Sequence, residues 1–178
     1  PIKSSAASDV YKRQEQVTLN VGVNAQVLTL NNSWALEPRA GIKWQFSPKS
    51  SFALAYGLHS RMEKMDVYFV KTQGTGDRSV NKDLGFTRAH HVMLSYGFKI
   101  SDNMNMKIEP YFQQLYDVPV IADSSYSVLN RRDFYVENAL VNRGKGRNIG
   151  VDITLERYLN KGLYYMVTAS IFDSKYYG

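Results

Sequence analysis

Residues 37–60 read EPRAGIKWQFSPKSSFALAYGLHS, and they alternate. Pro38, Ala40, Ile42, Trp44 and Phe46 fall on one phase, and Glu37, Arg39, Gly41, Lys43 and Gln45 on the other. After Ser47-Pro48-Lys49-Ser50 the alternation resumes with Phe52, Leu54, Tyr56 and Leu58. A period of two means extended strands, because successive side chains point to opposite faces. The tetrad between them has turn chemistry, so the stretch predicts a β-hairpin. Alternation alone does not say which face is wet. A soluble sheet buries its apolar face, whereas a membrane barrel turns that face to lipid.

The same pattern recurs along the chain. Val17 to Val27 predicts a strand before the hairpin, and Asn31-Asn32 a turn. Further strands are expected around Val92–Ile100, Met104–Phe112, Ile149–Leu155 and Leu163–Ile171, with turns at residues 101–103 and 160–162. No helical period of comparable length appears. Pro110 lacks a ladder donor and is expected at a bulge. The expected fold class is therefore all-β: an antiparallel meander of about seven long strands, forming a partial transmembrane β-barrel.

The connections favour the membrane alternative. Short turns near residues 48, 102 and 161 alternate with two long polar segments, roughly 60–88 and 117–146. All the tight turns then fall at one end of the sheet, as in membrane barrels. The off-phase positions carry Glu37, Arg39, Lys43, Lys99, Lys107, Glu109, Asp152 and Glu156, more charge than a packed core accepts. Trp44, Phe46, Phe52, Tyr56, Phe98 and Tyr165 lie on the apolar phase, several near strand ends, as an interfacial girdle requires.

Composition bounds the function. The 178 residues suffice for one ordinary domain, and the absence of cysteine excludes disulfides and thiolate metal sites. The net charge of +6 comes from scattered basic residues, which argues against a nucleic-acid partner. A mean hydropathy of -0.35 is compatible with a barrel, since alternation dilutes the signal. Ser4 to Gln14, SSAASDVYKRQ, matches a back-translated transposon-type sequencing adaptor, so residues 1–14 are expected to be an artefact and unstructured, and 15–178 the barrel fragment.

The segment GKGRNIGVDITLERYLNKGLYYMVTASIFDSKYYG, residues 144–178, resembles the barrel of TonB-dependent outer-membrane receptors. LEPRAGIKWQFSPKSSFALAYGLHSR and LGFTRAHHVMLSYGFKISDNMNMKIEPYFQQLYDVPV are similar to preceding stretches of such barrels, in the branch that begins with a carboxypeptidase-regulatory-like domain. The resemblance implies a plug domain and a barrel of about 22 strands, of which residues 15–178 are a late-middle piece. It implies energy-coupled uptake of a scarce ligand: a siderophore, haem, a cobamide, a peptide or a glycan. It further implies outer-membrane lipid, the missing plug and the TonB complex as partners, and the outer membrane of a Gram-negative bacterium as location. A passive channel or adhesin-type barrel, and a soluble β-sheet binding module, stay open as alternatives.

Few residues suggest chemistry. His59, His90 and His91 are the only histidines, and neighbours in a strand point to opposite faces, so His90-His91 does not chelate as a pair. They read as interfacial or lumen-facing polar residues. GTGDRS (74–79) and GKGR (144–147) lack the ending of a phosphate loop and read as loop residues. Met65 to Lys71 is apolar for a loop and is expected to extend the hairpin's second strand. Arg131 and Arg132 with Phe134 and Tyr135, together with Arg78, are the candidate ligand-binding residues, able to grip an anionic or ring-bearing ligand from the long loops. No nucleophile–base arrangement stands out, so no enzyme activity, cofactor or metal is expected.

Overall fold

The computed structural model describes residues 2–13, 16–72, 79–122, 124, 138–160 and 162–177. They form one antiparallel sheet in strict chain order, with a single short helix. The strands are β1 (Ile2–Arg13), β2 (Val17–Leu28), β3 (Ser33–Ser47), β4 (Ser50–Arg61), β5 (Thr87–Ser101), β6 (Met104–Ile121), β7 (Leu140–Asn160) and β8 (Leu163–Tyr177), and α1 spans Met65–Tyr68. The sheet is open, with β1 and β8 as its edges.

Register carries the alternation across the whole sheet. Leu19 lies beside Ile42, Ile42 beside Leu54, and Leu54 beside Leu94. Farther along, Pro110 lies beside Val151 and Val151 beside Ile171. One face is thus apolar from β2 to β8. The opposite face carries Thr18 beside Lys43, Lys99 beside Asn105, Asn105 beside Glu156, and Glu109 beside Asp152. A slip of one residue would invert every side chain, so a matched register over six ladders is a strong constraint.

The tight turns at Pro48-Lys49 and Asp102-Asn103, and the β7–β8 connection, share one end of the meander. There Ser47 Oγ accepts the Lys49 N–H at 3.3 Å, and Gly162 takes a φ of 81°, open to glycine at little cost. At the other end lie the Asn31-Asn32 turn and the two long connections. Asn31 Oδ1 accepts the Ser33 N–H at 3.1 Å, and Asn32 adopts a φ of 56°, which asparagine tolerates better than most residues.

Four expectations need correction. The backbone of Ile2–Arg13 is paired, from Ile2 beside Leu28 to Arg13 beside Thr18, where residues 1–14 were expected to be unstructured. The β2 edge offers unmade backbone hydrogen bonds, and an extended segment of matching length satisfies them whatever its sequence or origin. Pro110 sits in register with no bulge; the β5–β6 ladder keeps its offset on either side of it, skipping Leu94 and Ser95. Gly144–Arg147 belongs to β7 and not to a loop, because β6 and β7 run well past the apolar stretch and keep each other's backbone paired. Met65–Tyr68 forms α1 and does not prolong β4, because Val67 and Tyr68 turn back onto the sheet.

Candidate functional site

The polar face at the long-loop end is where the chain gathers its side chains. Leu28, Ala35 and Leu140 reach that end of the sheet, and α1 with residues 84–86 folds over them. Val67, Tyr68, Leu84 and Phe86 close a small core there, with Met62, Leu30 and Ile121 at its margin. Tyr68 is fully buried, and its hydroxyl accepts the Glu63 N–H at 3.3 Å. Burial, with a smaller push from the nearby Glu63 carboxylate, raises the Tyr68 pKa above its ordinary 10.0. Glu63, itself buried, accepts from Thr87 Oγ1 at 3.0 Å.

Asparagines fasten this platform. Asn81 is 1% exposed; its amide donates to the carbonyls of Val67 and Asn138, each at 3.0 Å, and its Oδ1 accepts the Leu140 N–H at 2.8 Å. It thereby ties the first long connection to α1 and to the end of the second. Asn31 donates to the Leu84 carbonyl at 2.7 Å, and Asn142 accepts the Gly85 N–H at 2.8 Å. Buried backbone groups that no ladder can reach are satisfied by side chains in this way.

Beneath the platform a polar row crosses the sheet. His59 and His91 meet edge to face with ring centroids 4.8 Å apart. Gln113 Nε2 contacts His91 Nε2, Asn148 donates to Gln113 Oε1 at 2.6 Å, and the Tyr176 hydroxyl donates to Asn148 Oδ1 at 3.3 Å. The His59 ring lies back over Gly57, where a Cβ would come within 2.6 Å of Nε2. A cavity of about 470 Å³ opens beside the histidines, with Arg39, Asn20 and Met93 among its walls. His90 points the other way: its Nδ1 is 2.9 Å from the Tyr56 hydroxyl, and its ring stacks on Tyr116. The opposite orientation of His90 and His91 matches the reading of the sequence. No cluster of three or more His, Cys, Asp or Glu able to hold a metal ion occurs among the described residues.

A second cavity, of about 520 Å³, lies at the tight-turn end of the polar face. Lys43, Lys49, Lys99, Lys107 and Glu156 contribute to its lining. Lys107 pairs with Glu109 at 2.9 Å. The arrangement offers polar and cationic contacts.

Arg78, Arg131, Arg132, Phe134 and Tyr135, the ligand-binding residues expected from the sequence, lie outside the described residues. The sequence reading missed the His59–His91 contact and the asparagine clamps. Equal phase in adjacent strands was the available signal for the first. The clamps join residues 14 to 59 positions apart, and no local pattern marks them.

No protein-family model matches the chain, and no curated protein sequence does. Among solved structures it is similar to the FrpB iron transporter from Neisseria meningitidis (F3-3 variant), with a TM-score of 0.66 at 16% identity. The match covers 96% of this chain and 25% of that one, so the chain spans about a quarter of the transporter's length. At that identity the likeness is one of fold: the open antiparallel meander is a partial β-barrel.

Proposed function

We propose that the chain is a segment of the wall of an outer-membrane receptor of the TonB-dependent type, whose parent takes up a scarce ligand in an energy-coupled step. The observation that carries the reading is the exposed apolar face. Ile42, Leu54, Leu94 and Ile171 stay exposed on it although they are large and apolar. Unbroken apolar surface of this extent on a folded chain marks a contact with lipid or protein.

Aromatic residues border the face at both ends. Trp44, Phe46, Tyr96 and Phe98 make a contiguous cluster near the tight turns. Tyr56, His90 and Tyr116 stack near the long-loop end. From His90 to Phe98 the strand rises about 27 Å, or about 19 Å across a membrane at a tilt near 45°. That span suits the apolar band of an outer-membrane barrel, about 25 Å tall. The opposite, polar face then lines the lumen, and the asparagine-fastened platform lies on the ligand side. The parent acts by binding and passage, without a chemical step.

The test uses the product of the full-length gene. It should fold into lipid vesicles with heat-modifiable gel mobility, bind the periplasmic domain of TonB, and show little conductance in planar bilayers. Open conductance without TonB binding would make it a passive channel. Partition into buffer would make it a soluble binding module.

A further inference from the structure

The apolar face changes character abruptly toward the long-loop end. On β7, Val151 and Ile149 are followed on the same face by Arg147 and Lys145. On β8, Ile171 is followed by Asp173 and Lys175. Register sets Arg147 beside Lys175 and beside Gln114, and Lys145 beside Tyr177. Asp173 Oδ2 lies 3.8 Å from Arg147 Nη2 and 3.3 Å from Lys175 Nζ, so one carboxylate holds two cations together. Lys145 adds a third exposed cation, leaving the cluster with surplus positive charge. Arg147 Nε is shielded from solvent and has no hydrogen-bond partner among the described residues, so it is the Nη end of the guanidinium that faces outward beside Asp173.

The position matters as much as the charge. These cations begin two residues beyond the last apolar side chain of β7 and end four beyond that of β8, about 7 to 14 Å along the strand. With barrel tilt this becomes about 5 to 10 Å along the membrane normal. The headgroup layer occupies roughly the 5 to 8 Å beyond each side of the hydrocarbon core. A guanidinium presents a planar fork to phosphate oxygens, and an ammonium beside it adds a mobile point charge.

We infer that Lys145, Arg147 and Lys175 form an external site for the phosphate of an anionic membrane lipid, in the leaflet on the long-loop side. This rests on the lipid-facing assignment of the apolar face. Asp173 is the spacer that keeps Arg147 and Lys175 from separating before lipid arrives.

The experiment uses the full-length barrel, folded and purified in phosphatidylcholine micelles that contain a minor fraction of phosphatidylglycerol. Co-purified lipid is extracted and counted. The native protein should retain phosphatidylglycerol several-fold above its share of the micelle. The combined Lys145→Gln, Arg147→Gln and Lys175→Gln variant should retain the two lipids in bulk proportion. The combined Lys43→Gln, Lys99→Gln and Lys107→Gln variant, with equal charge removed from the opposite face, should keep the enrichment. Equal enrichment in the first variant, equal loss in the second, or displacement of the lipid by inorganic phosphate would each overturn the site. Insertion into vesicles without enrichment defeats this inference alone, whereas failure to insert defeats the membrane assignment and the site with it.

Discussion

Glu37 Oε1 accepts the backbone N–H of Ser60 at 2.7 Å, just beyond the point where β3 and β4 cease to pair at Arg39 and Gly57. The same carboxylate accepts from Asn24 Nδ2 at 2.8 Å and Gln26 Nε2 at 2.7 Å. A side chain thus replaces the ladder and joins β2, β3 and β4 where the strands diverge. Glu37 is 7% exposed, so its removal leaves shielded donors unmet. Glu37→Ala should destabilise the parent barrel by about 1–3 kcal/mol, and Glu37→Gln, which keeps one acceptor oxygen, by less. Urea midpoints of the refolded protein in vesicles check this; an unchanged midpoint for Glu37→Ala would show that water takes over those bonds without loss.

Asn81 should act locally. Asn81→Ala removes two donated bonds and one accepted bond that hold α1 and residues 138–140 together. The platform should open more easily, by about 2 kcal/mol, which is about a 30-fold rise in amide exchange over residues 62–86. Exchange in β3 and β4 should stay unchanged. A uniform rise across the sheet would mean that the platform and the strands unfold as one unit.

Tyr68 makes the platform sensitive to alkali. Its pKa is raised in the folded state, above the 10.0 of a free tyrosine, by burial first and by the Glu63 carboxylate less strongly. A raised pKa means the folded state holds the phenol proton more tightly. The resulting stability is fully present below the unfolded value and is lost as pH rises through the folded value. Limited proteolysis within residues 62–86 should therefore be flat through neutral pH and accelerate above pH 10.0. Tyr68→Phe should cost about 1 kcal/mol from the lost Glu63 N–H contact and abolish the acceleration. An identical alkaline profile in both proteins would assign the effect to another group.

The sequence made one kind of information legible and hid another. Two-residue alternation with charge on the off phase located β2 to β8, because face and register follow from the pleat alone. Ile42 beside Leu54, and Val151 beside Ile171, are what that pattern demands. The platform departs from it. Leu28 and Ala35 occupy the polar phase, yet each is buried, because the ends of their strands sit under a returning segment; Leu115, also on that phase, is buried with Ala89 and Val118 of β5 and β6. Met65–Tyr68 reads as apolar whether it extends a strand or folds back, and its partners lie in other strands and in residues 84–86 at the far end of its own connection. The paired backbone of Ile2–Arg13 was invisible for a different reason, since an edge selects for length and extension and not for side chains.

The opening hairpin supplies the sharpest test of the lipid-facing assignment. Ile42 lies beside both Leu19 and Leu54 on the apolar face and is 41% exposed, while Lys43 lies on the opposite face beside Thr18 and Ala53. The two residues share a backbone neighbourhood, so strand propensity and distance from the turn are nearly matched. Only the face differs. If the apolar face meets lipid, Ile42→Lys places a charge in hydrocarbon and should cost the parent barrel about 2–4 kcal/mol. Lys43→Ile, on the lumen side, should reduce insertion far less, because water or plug contacts can accommodate the change. Folding yield into lipid vesicles, scored by heat-modifiable mobility, measures both variants side by side. Equal tolerance, or a greater loss at Lys43, would return the apolar face to a protein interior and remove the basis for a membrane wall.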